Sequence, residues 1–517
     1  MYAQLLKSAV AVCATFVLTT LPAEAGTFTV SKNSPFTTIQ SAVDAASSGD
    51  SIHVKSGVYV ENVVVPYGKM GLRMIAKGKV ILDARVEGSV GSGPCLTLNA
   101  QDMHVQGFTF RHGARVGPLP GAGIDANATG LTVVKCRFLR NEDGGIEGKG
   151  AYGMRVADCT FVNGRYFAAV AEGDDVVFER NVVAQGRGGF YVSGHNVVMT
   201  RNRFSNVDEE CLSVDGNGAR ITQNRVDLAG GSNGGGSVIS VEGHDAFVQR
   251  NTLVHIRGDG IHITGDSARI DRNSVSFGDS ELIQVTGNLA RITSNKLLSS
   301  EDDAINVNGD DALIDRNTAS STKDEGVYLV GDRPTITRNT IRDIYGNEGI
   351  YVSACTGGLI ADNKIERTTY HGILLNTSTS GITIEGNTIS DVGNGYKDGL
   401  HLQGDEHVVE GNTIVRAARD GIHIAGTAFS VAGNRVDKCG EDGIDIETGY
   451  EHVVEENVVT DCGAEGIELQ ADDSIVRNNK SKGNLSDYAA DIAPITFAGN
   501  ASGDGTHADP GLPVIDT

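Results

Sequence analysis

The stretch Gly260-Ile261-His262-Ile263-Thr264-Gly265-Asp266-Ser267-Ala268-Arg269-Ile270-Asp271-Arg272-Asn273 decides the fold, because its two halves return along most of the chain. The Gly-Ile-x-Ile half recurs as Gly421-Ile422-His423-Ile424 and Gly443-Ile444-Asp445-Ile446, and the half ending in asparagine recurs as Ile336-Thr337-Arg338-Asn339. Asn181, Asn202, Asn224, Asn251, Asn273, Asn295, Asn317, Asn339, Asn363, Asn387, Asn412, Asn434, Asn457 and Asn478 form a series whose commonest step is 22 residues, as from Asn251 to Asn273. A period of that size in strand-like phrases specifies stacked supersecondary units.

Apolar alternation over such short runs predicts strands with one buried face. Gly-Asp turns such as Gly265-Asp266 and Gly331-Asp332 separate the strand phrases, and glycine there is expected to supply positive φ. Each repeat thus offers strands and tight bends without a helix. This predicts a solenoid of parallel strands, wound right-handed by the crossover rule. Asparagine amides stacked at a coil interval of about 4.8 Å would donate to and accept from the coils on either side, which makes the series structural.

The expected class is all-β: a single-domain right-handed parallel β-helix over residues 26–481, with a signal peptide at 1–25 and an irregular tail or cap at 482–517. Lys7, the apolar stretch from Ala9 to Leu21 and the ending Ala23-Glu24-Ala25 have the layout of a secretory signal. Val12 before Cys13 is too large for the usual lipid-attachment box. No later run reaches the roughly 18 apolar residues needed to cross a bilayer. The expected protein is secreted or periplasmic, has no transmembrane segment and works as a monomer. Gly113 to Gly123 and Ala229 to Ser237 break the period and read as surface loops.

The net charge of -23 disfavours nucleic acid, whose binders need a basic face, and disfavours anionic membranes for the same reason. Acidic sugar polymers stay open, because a groove can be locally basic or hold a cation. Seven cysteines follow the signal. Cys136 and Cys159 occupy the asparagine position of adjacent repeats, and Cys439 and Cys462 share another register. Neighbouring coils would bring each pair to roughly 5 Å, so disulfides and stacked free thiols both fit.

Thr38 to Ala46 has helical spacing of apolar residues and predicts a short amphipathic helix covering the open edge of the first coil. With Gly49-Asp50-Ser51-Ile52-His53-Val54 and Gly57-Val58-Tyr59-Val60-Glu61-Asn62 after it, this opening resembles that of the pectate-lyase-like superfamily of right-handed parallel β-helix proteins. The resemblance implies the fold of nearly the whole mature chain, while reactions vary widely across that superfamily.

In a solenoid, equivalent positions form columns. The outward residues of the Gly-Ile-x-Ile strand are His262, Gln284, Asn306, Tyr328, Tyr351, Leu374, His401, His423, Asp445 and Glu468. Three residues earlier stand Asp259, Glu281, Asp303, Glu325, Glu348, His371, Asp398, Asp420, Asp442 and Glu465. Carboxylates about 5 Å apart repel by about 0.8 kcal/mol in water and about 3 kcal/mol at an effective dielectric of 20. Two explanations of this acidic column stay open. Each carboxylate accepts turn amides and remains solvated, or part of the column binds a divalent cation such as calcium, with Asp420 and Asp442 as candidate ligands.

The richest chemistry lies between Tyr351 and Glu468. His371 or His401 would serve as base, Tyr351 or Tyr396 as proton donor, and Lys397 or Arg419 would neutralise a sugar carboxylate. His423, Asp398 and Asp445 would bind substrate. Abstraction of the C5 proton of a uronic acid needs such a set, and the stretch looks like the groove of polysaccharide lyases and alginate C5-epimerases. Where those epimerases carry Asp-Pro-His, this chain has Asp398-Gly399-Leu400-His401, repeated as Asp420-Gly421-Ile422-His423.

Glu301-Asp302-Asp303-Ala304-Ile305-Asn306 resembles the paired-aspartate strand of polygalacturonases, but Asp279-Ser280-Glu281 and Asp324-Glu325-Gly326 replace the phrases that family places beside it. The Asp-Phe-Ile-Phe-Gly phrase of pectin methylesterases is absent. Two readings remain: an enzyme acting on an acidic polysaccharide, and a non-catalytic β-helix that binds glycan, a partner protein or a divalent cation.

Overall fold

The computed structural model describes residues 25–85, 93–230, 236–490 and 495–503. The signal-peptide reading falls almost wholly outside them. One repeat contributes three strands, Ile261–Thr264, Arg269–Asp271 and Ser274–Gly278. Each pairs in parallel with its successor: Ile283–Thr286, Arg291–Thr293 and Lys296–Ser300. About 21 such turns stack into a β-solenoid that is 55% strand and 2% helix. Ile261, Ile263, Ala268, Ile270 and Val275 point inward and are at most 1% exposed. Burying each large aliphatic side chain contributes roughly 1.5–3 kcal/mol, so a coil is held by its neighbours.

The asparagines do what their spacing predicts. Asn273 Oδ1 accepts the backbone N–H of Asn251 at 2.9 Å and its Nδ2 at 3.0 Å, while Asn273 Nδ2 donates to Val248 O at 2.9 Å and Asn295 Oδ1 at 3.1 Å. The end of the series needs correcting. Asn479 accepts Asn457 N–H at 2.9 Å and donates its own N–H to Asn500 Oδ1 at 2.9 Å. Asn478 instead takes the left-handed position just before the ladder, at φ 56°, which Arg272 occupies at φ 52° in its own coil. These bends are thus turned by non-glycine residues. The glycines of the Gly-Asp turns answer a closer constraint as well: Gly265 has φ 148°, and a Cβ there would lie 2.3 Å from Gly243 O of the preceding coil.

Cys159 N–H donates to Asn181 Oδ1 at 2.9 Å and Cys136 N–H meets Cys159 Sγ at 3.4 Å, so both cysteines stand in the ladder's place. All seven described cysteines are buried free thiols. The helix Ile39–Ala45 buries Ile39, Ala42 and Val43 on the first coil, with Thr38 capping Ser41 N–H. Coiling runs past residue 481: Ser486–Ala490 pairs with Glu465–Leu469, and Ile495–Ala498 with Ser474–Arg477. The step from Asn479 to Asn500 keeps the ladder intact there although the strand phrases lose their apolar pattern. Among the described residues no helix is long and apolar enough to cross a membrane.

Candidate functional site

Register turns the two sequence columns into geometry. Tyr328 pairs with Tyr351, Tyr351 with Leu374, Leu374 with His401, His401 with His423, and His423 with Asp445. The acidic column runs beside it through the bends that precede each strand. Asp398 Oδ1 accepts Asp420 N–H at 3.2 Å, Asp420 Oδ1 accepts Asp442 N–H at 3.0 Å, and Asp442 Oδ1 accepts Glu465 N–H at 2.6 Å. Turn amides therefore hold one oxygen of each, as one explanation required, but the column is not solvated: Asp398 and Asp420 are fully buried. Burial, with Glu465 adding to it, pushes the Asp442 carboxyl up to about 8, and burial with Glu325 nearby pushes Asp303 up to about 9. Protonation of such members relieves the repulsion along the column.

Two column members go the other way: Asp259, beside His262, and Asp398. Burial alone would raise the pKa of Asp398, yet His371 and His401 outweigh burial and hold the carboxyl well below the usual range. The ring centroids of His371 and His401 are 4.5 Å apart, and those of His401 and His423 are 4.7 Å apart, with the two rings stacked nearly parallel at 10°. His371 Nδ1 accepts Asp398 N–H at 3.0 Å. Burial lowers the pKa of His371, so the ring is neutral near pH 7 with its proton on Nε2. His401 Nδ1 donates to Asp398 Oδ2 at 2.8 Å, which leaves Nε2 as the nitrogen turned to a substrate, with Gln403 Nε2 at 3.3 Å.

The third ring differs. His423 Nδ1 lies 2.8 Å from Asp445 Oδ2 and Nε2 lies 3.3 Å from Glu447 Oε2. Burial opposes its charge, but Asp420 and Asp445 override burial and push its pKa up to about 10. The cluster thus offers a hydrogen-bond donor at His371 Nε2, a ring nitrogen at His401 Nε2 and a fixed imidazolium at His423 on three neighbouring coils.

A family model described as right handed beta helix region matches residues 144–288, 281–434 and 397–501, well over half of the chain. This chain belongs to the right-handed β-helix family. None of the curated proteins matches it. Among solved structures it is similar to a periplasmic alginate epimerase, at 12% identity over 68% of this chain and 77% of that one with a TM-score of 0.33. It is also similar to the A-module of a mannuronan C-5 epimerase from Azotobacter vinelandii, at 13% identity over 90% and 94% with a TM-score of 0.23. A pectin methylesterase from Aspergillus niger matches at 14% identity over 45% and 81% with a TM-score of 0.27.

On this β-helix the remaining candidates divide. Arg419 Nε lies 3.1 Å from Asp420 Oδ2 and 3.4 Å from Glu441 Oε2, and Nη2 lies 3.8 Å from Asp445 Oδ2, so the guanidinium is engaged within the cluster. Lys397 Nζ sits 4.5 Å from the centroid of the Tyr370 ring, at the margin nearest His371. Tyr351 packs edge-on against Tyr328 and is separated from His401 by the Leu374 coil, two steps or about 9.6 Å away. Tyr396 is 78% exposed on the loop before Lys397.

Gln403, Glu441 and Glu447 escaped the sequence reading. Strand alternation carried the signal for two of them, since Gln403 and Glu447 stand two residues beyond His401 and Asp445 on the same face.

Among the described residues, four groups of side chains could hold a metal ion. His371, Asp398 and His401 bring one ligand atom each within 4.8 Å of one another, as do Asp398, Asp420 and His423. Asp442 belongs to a separate group with Glu465 and Glu468, and Asp302, Asp303 and Asp324 form the fourth. Asp445 Oδ1 is buried without a hydrogen-bond donor, while Asp420 Oδ2 has the Arg419 guanidinium at 3.1 Å. Mixed imidazole and carboxylate donors suit a transition metal, and the two all-oxygen groups suit calcium.

Proposed function

We propose that this protein acts outside the cytoplasm on an acidic polysaccharide, removing the C5 proton of a uronosyl unit. The observation that carries this is the pairing of two histidines in opposite tautomers across Asp398, one a donor and one an acceptor. His401 Nε2, released from Gln403 by the incoming sugar, takes the proton while Asp398 stabilises the imidazolium that forms. His371 Nε2–H donates a hydrogen bond to the sugar and keeps its proton. The His401 imidazolium passes the proton it has taken to the glycosidic oxygen at C4, completing an elimination in which the C5–H and C4–O bonds break and a C4=C5 double bond forms. Delivery of a proton from water to the opposite face of C5 instead completes an epimerisation. Lys397 is the cation available to a sugar carboxylate, since Arg419 and both ring nitrogens of His423 are already held by protein carboxylates.

The test is incubation with alginate, polygalacturonate and glycosaminoglycans, following absorbance of unsaturated product and C5 exchange by NMR in deuterated water. Folded protein that is silent in both assays refutes the proposal. A second reading, a cation-binding β-helix without catalysis, is favoured by the convergence of Asp398, Asp420 and His423 and by the unpaired buried Oδ1 of Asp445. Calcium or manganese binding that survives His401→Ala and is lost in Asp420→Asn, without turnover of any polymer, would establish it.

A further inference from the structure

A cleft of about 430 Å³ lies far from the histidines, where the bends after the first strands of the site-bearing sheet stack on one another. Tyr67 and Tyr152 stand at its two ends. Successive coils carry Val65, Leu98, Ala126 and Gly148 in register, so the two tyrosines are three coil steps, about 14 Å, apart. Between them the floor is flat because Ala100 and Ala128 are its central residues. Its polar groups are those of Asn99, Gln101, Asn127 and Thr129. Asn127 Nδ2 donates to Asn99 Oδ1 at 3.2 Å, so the amides are ordered before any ligand arrives.

Two features of this cleft need a reason. Tyr67 is 77% exposed, Tyr152 53% and Met70 45%, although none of them gains packing there. Large amphipathic rings kept on a surface normally serve recognition, since one end is apolar and the other can hydrogen-bond. In addition, among the described residues no carboxylate, ammonium or guanidinium group lines the cleft, in a chain of net charge -23. A charged ligand would find no counter-charge in it. Amides and a hydroxyl on a flat floor, closed by two aromatic rings, match a ligand with many hydroxyls on its edges and apolar C–H faces.

We propose that the Tyr67–Tyr152 cleft is a binding site for a neutral oligosaccharide. It takes its ligand class from the carbohydrate-directed reading above but is physically separate from that chemistry. Twelve register steps lead from Asp125, beside the cleft, to His401, or roughly 58 Å at about 4.8 Å per coil. A short oligosaccharide held between the tyrosines cannot touch the histidines. The cleft anchors a polymer, or its uncharged stretch, without taking part in proton transfer.

Isothermal titration of the full chain with cellohexaose, mannohexaose and maltohexaose tests this directly. Saturable binding of at least one is expected, weakened about tenfold by Tyr67→Ala and by Tyr152→Ala through loss of ring stacking, and unchanged by His401→Ala. Both tyrosines are exposed, so their truncation leaves the fold intact, which circular dichroism verifies. The proposal is overturned if none of the three hexaoses binds, or if binding ignores both tyrosine substitutions. It is equally overturned if the cleft takes only trigalacturonate or alginate oligomers, or if the tyrosines instead mediate concentration-dependent self-association. Absence of turnover at His401 would leave all these outcomes readable.

Discussion

Removing one rung of the asparagine ladder should open the solenoid locally. In Asn273→Ala, Oδ1 no longer accepts Asn251 N–H at 2.9 Å or Asn251 Nδ2 at 3.0 Å, and Nδ2 no longer donates to Val248 O or Asn295 Oδ1. Asn251 Nδ2 keeps Ile221 O at 2.8 Å, and Asn295 Oδ1 keeps the Asn273 N–H. The Asn251 N–H is left buried without its acceptor. Losing net hydrogen bonds at about 1 kcal/mol each and orphaning one buried donor at about 1–3 kcal/mol gives a cost of about 3–5 kcal/mol. In a stack of nearest-neighbour units the loss should concentrate on the coils from Asn251 to Asn295.

Urea denaturation followed by circular dichroism measures the total, and amide hydrogen exchange measures its spread. Ser276→Ala, on the half-buried outer surface of the same coil, is the control. If Asn273→Ala costs no more than Ser276→Ala, or if exchange quickens uniformly along the chain, the ladder is not the cooperative element described here.

Asp398→Asn should lower kcat by about 100-fold with little change in KM, because Asp398 orients His401 and does not contact substrate; unchanged kcat would remove Asp398 from the mechanism. The NMR titration of His423 should show a ring still protonated at pH 8, and Asp445→Asn should lower its pKa, since Asp445 is one of the three carboxylates, with Asp420 and Asp398, that raise it. His407 is fully buried, with Nδ1 accepting Ile382 N–H at 3.0 Å, and burial lowers its pKa to about 4. Its folded pKa lies below the unfolded value of about 6.5, so the unfolded state takes up the proton first and stability falls as pH drops from about 6.5 to 4, by about 3 kcal/mol in all. The Tm gap between the wild type and His407→Gln should therefore narrow over that window; a constant gap would refute the assignment.

Particular residues mark how far the sequence could be read. The 22-residue step and the Gly-Ile-x-Ile phrase specified parallel coils and correctly aligned Tyr351, Leu374, His401, His423 and Asp445 in one column. That same column already separated Tyr351 from His401 by one coil, but a list of residue types hid the distance. Asn478 was taken for Asn479 because both positions carry asparagine and only the left-handed bend distinguishes them. The neutral column members Asp442 and Asp303 were illegible, because their protonation follows from burial rather than from residue type.

Period and alternation by themselves determined the architecture, since a strand's register depends on which side chains can face the core, and that is written in the order of apolar residues. Only the tertiary structure decided the chemistry. Which nitrogen of His371 holds a proton is fixed by the Asp398 amide on the next coil, 27 residues away, and the same Asp398, buried there by the stacked coils, orients His401 three residues on. His423 stays charged because Asp445 lies 2.8 Å from it on the adjacent strand. Proton positions respond to distance, burial and counter-charge, and these exist only once the coils are stacked.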